Sequence, residues 1–136
     1  MTIHNGVGFK TLLAEANADV ETITIETLQK TIDDDTIVVI DLRDIRELQR
    51  EGQLPGALHM PRGMLEFWVD PDSPYARPIF QEDKRFVFYC ASAWRSALAC
   101  QVAGRLGLQN ASHLEGGFTG WKEAGGKVVA YKKRPK

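Results

Sequence analysis

The chain has 136 residues and a mass of 15.2 kDa, the length of one domain. Its 43% hydrophobic and 26% charged residues can close a core without disulfides or metal, which excludes a disordered or fibrous chain. Seventeen Lys and Arg against eighteen Asp and Glu leave a formal charge of −1, so nothing global draws the chain to nucleic acid or to an anionic membrane. No apolar run reaches the roughly 18 residues of a membrane span. Met1 to Lys10 has no basic segment leading into an apolar one, so the cytoplasm is the expected location.

In chain order, Phe9, Leu12, Leu13 and Ala16 recur at helical spacing and predict a leading helix from Val7 to Ala18. Ile23 and Ile25 alternate with threonines as a short strand, and Glu26 to Ile32 returns to helical spacing. The acidic triplet Asp33, Asp34, Asp35 turns the chain into Thr36–Ile40, an apolar strand of the kind buried on both faces of a parallel sheet. Asp44 caps a helix from Ile45 to Arg50 that stops at Gly52. A turn at Leu54-Pro55-Gly56 leads to a short strand, Ala57 to Met60. Five of the six prolines fall from Pro55 to Pro78, so Pro61 to Lys84 reads as a long irregular loop, with a short amphipathic turn at Met64 to Val69. Phe86–Tyr89 is a second apolar strand, Ser96 to Leu108 a helix, Ser112 to Leu114 a strand, and Phe118 to Ala124 a closing helix ended by Gly125-Gly126. Strand and helix alternate throughout, which predicts an α/β domain with a mostly parallel central sheet and helices on both faces. The expected divisions are a helical extension over 1–19, the domain over 20–126 and a basic tail over 127–136. That tail, with Lys127, Lys132, Lys133, Arg134 and Lys136, reads as a solvated terminus.

In parallel α/β sheets ligands bind beyond the carboxyl ends of the strands. Cys90 stands at that end of the most apolar strand, and a loop of small residues, Cys90-Ala91-Ser92-Ala93-Trp94-Arg95, leads into the next helix. Small side chains let backbone N–H groups turn inward as an anion cup, reinforced by the helix N-terminus. The dipole and Arg95 would favour the thiolate, which makes Cys90 a candidate nucleophile for an anionic substrate. Cys100, inside the following helix on a face with Ala97 and Ala103, reads as a packed core thiol or a resolving cysteine. The two are expected as free thiols, too far apart to bridge.

These residues carry a family resemblance. Val38-Val-Ile-Asp-Leu-Arg-Asp44, Leu54-Pro-Gly-Ala57 with Pro61, Phe86 to Ala97, Leu106-Gly-Leu108 and Leu114-Glu-Gly-Gly-Phe-Thr-Gly-Trp121 follow in the order and spacing of a single-domain rhodanese, a sulfurtransferase. The chain resembles that family from about Val20 to Gly126. The resemblance implies a three-layer rhodanese-like fold. It also implies that Cys90 takes the outer sulfur of a donor such as thiosulfate as a persulfide and passes it to cyanide or to a small-molecule or protein thiol. The N–H groups of Ala91, Ser92, Ala93, Trp94, Arg95 and Ser96 would bind the small anionic donor; no metal or cofactor is implied. Four residues separate Cys90 from Arg95, as in sulfur-transferring relatives, whereas related phosphatases and arsenate reductases have five. Many family loops have glycine at the position of Ala93, so either the loop avoids positive φ or activity with the usual donor is weak. A rhodanese fold kept for protein binding or sulfur relay is the alternative. The sequence is silent on oligomeric state.

Other residues read as follows. Arg95 contacts substrate or braces the loop, and Trp94 walls the pocket or meets a partner. Trp68 and Phe67 form a lid or fill a secondary core, and Arg62 is a surface residue. Asp41 fixes nearby loops by hydrogen bonds, with Arg43 paired to an acid such as Glu47. His4, His59 and His113 lack ligand spacing, and Pro71 and Pro74 interrupt any calcium loop around Asp70, Asp72 and Ser73. Gly116-Gly117 permits a tight turn, and Trp121 belongs to the core.

Overall fold

The structure is a computed structural model that describes residues 6–132; His4, Lys133, Arg134 and Lys136 lie outside the described residues. Five strands form one parallel sheet in the order β1-β5-β4-β2-β3. They are β1 (Glu21–Ile23), β2 (Ile37–Asp41), β3 (Leu58–His59), β4 (Arg85–Tyr89) and β5 (Ala111–Leu114). Helices α1 (Phe9–Asp19), α2 (Ile25–Thr31), α3 (Ile45–Glu51), α4 (Leu65–Val69), α5 (Trp94–Arg105) and α6 (Gly117–Glu123) complete the α/β domain. The expected fold class therefore holds.

Alternation along the two central strands builds both cores. Ile40, Phe86 and Phe88 face Leu65 and Val69 of α4 and Ala99, Cys100 and Ala103 of α5. Ile37, Val39, Val87 and Tyr89 face the other way, toward Leu28 of α2 and Phe118 and Trp121 of α6. A strand buried on both sides is apolar along its length, which is why Ile37–Ile40 of β2 and Phe86–Tyr89 of β4 read as continuous runs. Removing one such ring, as in Phe88→Ala, would cost about 3–5 kcal/mol.

Local chemistry sets the ends. Asp44 and Glu47 form a reciprocal capping box at α3, and Gly52 ends the helix at φ 82°. Most boundaries shift by a residue or two from those expected, the expected strand over Ala57 to Met60 shortens to Leu58–His59, α5 ends at Arg105 rather than Leu108, and three other differences have a clear local cause. β1 stops at Ile23 because the Thr24 hydroxyl accepts the Thr27 N–H and starts α2. The 61–84 segment is more ordered than a loop, with a 3-10 turn at Arg62–Met64, α4, and a second 3-10 turn at Pro78–Gln81. Helix α5 begins at Trp94, two residues before the expected Ser96, because Ala93 caps it in the left-handed region. After α6 the chain packs on the domain. The Trp121 indole donates to the Lys127 carbonyl at 2.8 Å, and Val129 pairs antiparallel with Gln53.

Candidate active site

Cys90 follows the last residue of β4 and is 1% exposed. The N-terminus of α6 holds the base of its loop. Phe118 N–H donates to the Cys90 carbonyl at 2.8 Å and Thr119 N–H to the Ala91 carbonyl at 3.1 Å. Gly117 makes that approach possible: it sits at φ 60°, and a Cβ there would lie 2.6 Å from the Cys90 carbonyl oxygen. With the carbonyls fixed to one side, none of the backbone N–H groups from Ala91 to Ser96 donates to a backbone carbonyl among the described residues. Such a row of free donors opening a helix has the chemistry to cradle an anion. Ala93 occupies φ 70°, ψ 6°. The loop thus adopts the conformation that glycine would take freely, at a cost of about 1–2 kcal/mol for alanine.

The guanidinium of Arg95 is gripped from below. Its Nη1 and Nη2 donate to the two carboxylate oxygens of Glu47, both at 2.9 Å. The same carboxylate accepts the Asp44 N–H at 2.8 Å, so the α3 capping box and the Arg95 anchor share one side chain. Hydrogen bonds from Arg95 hold the Glu47 carboxyl below its ordinary pKa, and the Glu47 carboxylate raises that of Arg95.

The expected Arg43–Glu47 pair does not form. Arg43 is fully buried and pairs instead with Asp41, Nε to Oδ1 at 3.0 Å and Nη2 to Oδ2 at 2.8 Å, with a further bond to the Gly52 carbonyl at 2.7 Å. Its guanidinium lies 4.1 Å from the centre of the Phe118 ring. Burial of a charge requires a close counter-charge, and Asp41, two residues away on the same turn, is nearer than the surface acid. The Tyr89 hydroxyl also donates to Asp41, and the Asp41 Oδ1 accepts the Arg43 N–H at 3.0 Å, so Asp41 does fix the neighbouring loop.

Ser96 is buried, and its hydroxyl bonds His113 Nδ1 at 3.0 Å, while His113 Nε2 meets the Thr22 hydroxyl at 3.2 Å. Spacing in the sequence gives His113 no role; burial lowers its pKa and favours the neutral ring that links Ser96 of α5 to Thr22 of β1. Trp94 is 56% exposed and packs against Phe9 of α1, ring centres 5.2 Å apart. Cys90 and Cys100 are both free thiols, and Cys100 lies in the core between α5 and the sheet. Trp68 packs at the edge of that same core while Phe67 is exposed, and Arg62 pairs with Glu66 at 3.0 Å. Trp121 is buried, and Gly116 and Gly117 both have positive φ at the turn into α6. Among the described residues no three His, Cys, Asp or Glu side chains converge as a metal site.

The family model of the rhodanese-like domain matches residues 24–124. The chain belongs to the rhodanese-like domain family. It is 33% identical over 114 residues to an uncharacterised Synechocystis protein, covering 84% of this chain but only 59% of that relative's length. It is 27% identical over 112 residues to the human thiosulfate:glutathione sulfurtransferase, covering 78% of this chain and 96% of that enzyme. A solved structure from Rhodopseudomonas palustris, of a protein of unknown function named a possible tyrosine phosphatase, superposes with a TM-score of 0.91 at 48% identity, covering 95% of this chain and 99% of that one. The rhodanese-like match spans α2 through α6 and so includes the whole Cys90 loop. Two contributors to that loop were not evident from sequence: the α6 amides, and Glu47 as the partner of Arg95. The Asp44-x-x-Glu47 capping spacing was the available signal for the second.

Proposed function

We propose that this rhodanese-like protein is a sulfurtransferase that carries sulfane sulfur on Cys90. The observation that carries the reading is the row of free N–H groups from Ala91 to Ser96 beside a thiol at the end of β4. In the first half-reaction the Cys90 thiolate attacks the outer sulfur of an anionic donor such as thiosulfate. A new S–S bond forms to Cys90, the donor's S–S bond breaks, and sulfite leaves with the electron pair. The persulfide anion then occupies the cup, where the helix dipole and the loop amides favour negative charge. In the second half-reaction a thiolate or cyanide attacks the outer sulfur, and the electron pair of the broken bond returns to Cys90. No general base is required once the thiol is ionised. Arg95, held by Glu47, keeps a cation at the start of α5. The name of the human relative supports thiosulfate as donor and a thiol as acceptor.

A phosphatase reading rests on the name of the Rhodopseudomonas neighbour. Four residues between Cys90 and Arg95 make a tighter loop than the five of related phosphatases, which favours a sulfur atom over a tetrahedral phosphate. The test is intact-protein mass spectrometry after thiosulfate treatment, run beside p-nitrophenyl phosphate hydrolysis. A one-sulfur adduct that cyanide removes and that Cys90→Ser lacks is the expected result. Turnover of the phosphate ester with no adduct would overturn the proposal in favour of the phosphatase. Neither adduct nor turnover would overturn it in favour of a binding role.

A further inference from the structure

A cavity of about 670 Å³ opens at the β3 edge of the sheet, and none of its walls comes from the Cys90 loop. Its floor is apolar, formed by Val38, Leu58, Pro78 and Ile79, and its size falls in the range that encloses small organic ligands. The charged groups that line it have one sign. Arg77 and Lys132 line it together with His59 and Tyr131, and no Asp or Glu is among the lining residues.

Arg77 is the informative residue. Its guanidinium lies 4.0 Å from the centre of the Trp68 ring, and its backbone N–H donates to the Trp68 carbonyl at 2.9 Å, so both ends of the residue are tied to one tryptophan. Among the described residues it makes no ion pair, whereas Arg43, Arg46, Arg50, Arg62 and Arg95 each have a carboxylate within 4 Å. A guanidinium stacked by its face keeps its N–H edge free, the geometry that grips a carboxylate, sulfonate or phosphate through two parallel hydrogen bonds. Lys132 adds a second cation, and the sequence continues with Lys133, Arg134 and Lys136. His59 and Tyr131, with ring centres 6.3 Å apart, supply aromatic edges on the wall between floor and rim.

We infer that this cavity binds a small aromatic anion, with the flat apolar body on the floor beside Tyr131 and the anionic group on Arg77 and Lys132. The site stands apart from the sulfur chemistry and does not depend on it.

Backbone and indole NMR shifts of the full chain, titrated with 2-naphthalenesulfonate and with the neutral 2-naphthalenemethanol, test this. The sulfonate should shift the Trp68 indole and the signals of Leu58, His59 and Tyr131 saturably. The neutral compound should bind about tenfold more weakly, the loss expected when a charge-assisted pair is removed. Arg77→Gln should lose about the same factor while its amide spectrum away from the cavity matches that of the parent, and Lys132→Gln somewhat less. Cys90→Ser should bind like the parent. Equal affinity for the two compounds, shifts mapping elsewhere, or no saturable shift at millimolar sulfonate would each overturn the inference.

Discussion

The two cysteines are both buried, at 1% and 3% exposure, yet the chain surrounds them with opposite chemistry. Cys100 sits mid-helix among Ala99, Ala103 and the rings of β4, and burial pushes its thiol up to about 12, with the Glu21 carboxylate adding to the effect. Cys90 sits where a strand ends, before a turn whose Cys90, Ala91 and Ala93 carbonyls accept backbone hydrogen bonds while its amides donate to none. Cys100 is enclosed by side chains, whereas Cys90 lies beside backbone N–H groups that donate to no backbone carbonyl. What separates them is the direction of peptide groups, not depth.

The contrast can be broken in four ways, taken from the largest effect to the smallest. Cys90→Ser should abolish sulfur uptake from thiosulfate, while Cys100→Ser should retain it; uptake surviving in the first variant would move the nucleophile elsewhere. The raised pKa of Cys100 has a stability consequence at the alkaline side. The neutral thiol is favoured in the folded state, so that contribution is complete below about pH 8.5 and is lost as the pH rises toward 12. Urea melts should therefore show a decline on the order of a few kcal/mol across that window, and Cys100→Ala should flatten it. Glu47→Gln should release Arg95 and lower kcat/KM for thiosulfate by about tenfold, the value of one charge-assisted contact. Because Arg95 holds the Glu47 carboxyl low, its contribution to stability is present above about pH 4.3 and falls away as the pH drops through the lowered value. The glutamine variant should lose that acid-side slope in a thermal melt. Ala93→Gly should relieve the positive φ and raise stability by about 1 kcal/mol, read as a small upward shift in Tm with sulfur uptake retained.

Much of this arrangement is legible in the sequence. The two central strands announced themselves because both faces are buried, so β2 and β4 carry no polar interruption, and Cys90 inherits its position from the end of β4. The capping signal at Asp44 and the stop at Gly52 are local and were readable for the same reason. What sequence could not supply was set by distance in the chain. Phe118 and Thr119 reach the Cys90 loop only after β5 is in place, and no local pattern marks their amides as donors to it. The partners of Arg43 and Arg95 were likewise decided by which acid each arginine can reach once folded. The proline-rich segment misled in another way. Prolines excluded a long helix but not two short 3-10 turns and one five-residue helix, and Pro78 itself opens the second turn.

One feature at the far end of the chain bears on where the protein can be cut. Gly126 lies so close to the Trp121 ring that a Cβ there would fall 2.3 Å from it, and Lys127 supplies the acceptor for the indole N–H. Val128 then joins the second core, Val129 exchanges both backbone hydrogen bonds with Gln53, and Tyr131 meets His59. These contacts strap the last helix to the opposite edge of the sheet, past the point where the family match stops at residue 124. A fragment trimmed to that match would strip Trp121 of its acceptor, unroof the α6 core and unpair the backbone after α3. A piece that keeps these contacts runs through Tyr131, and a fusion partner placed after that residue leaves them intact.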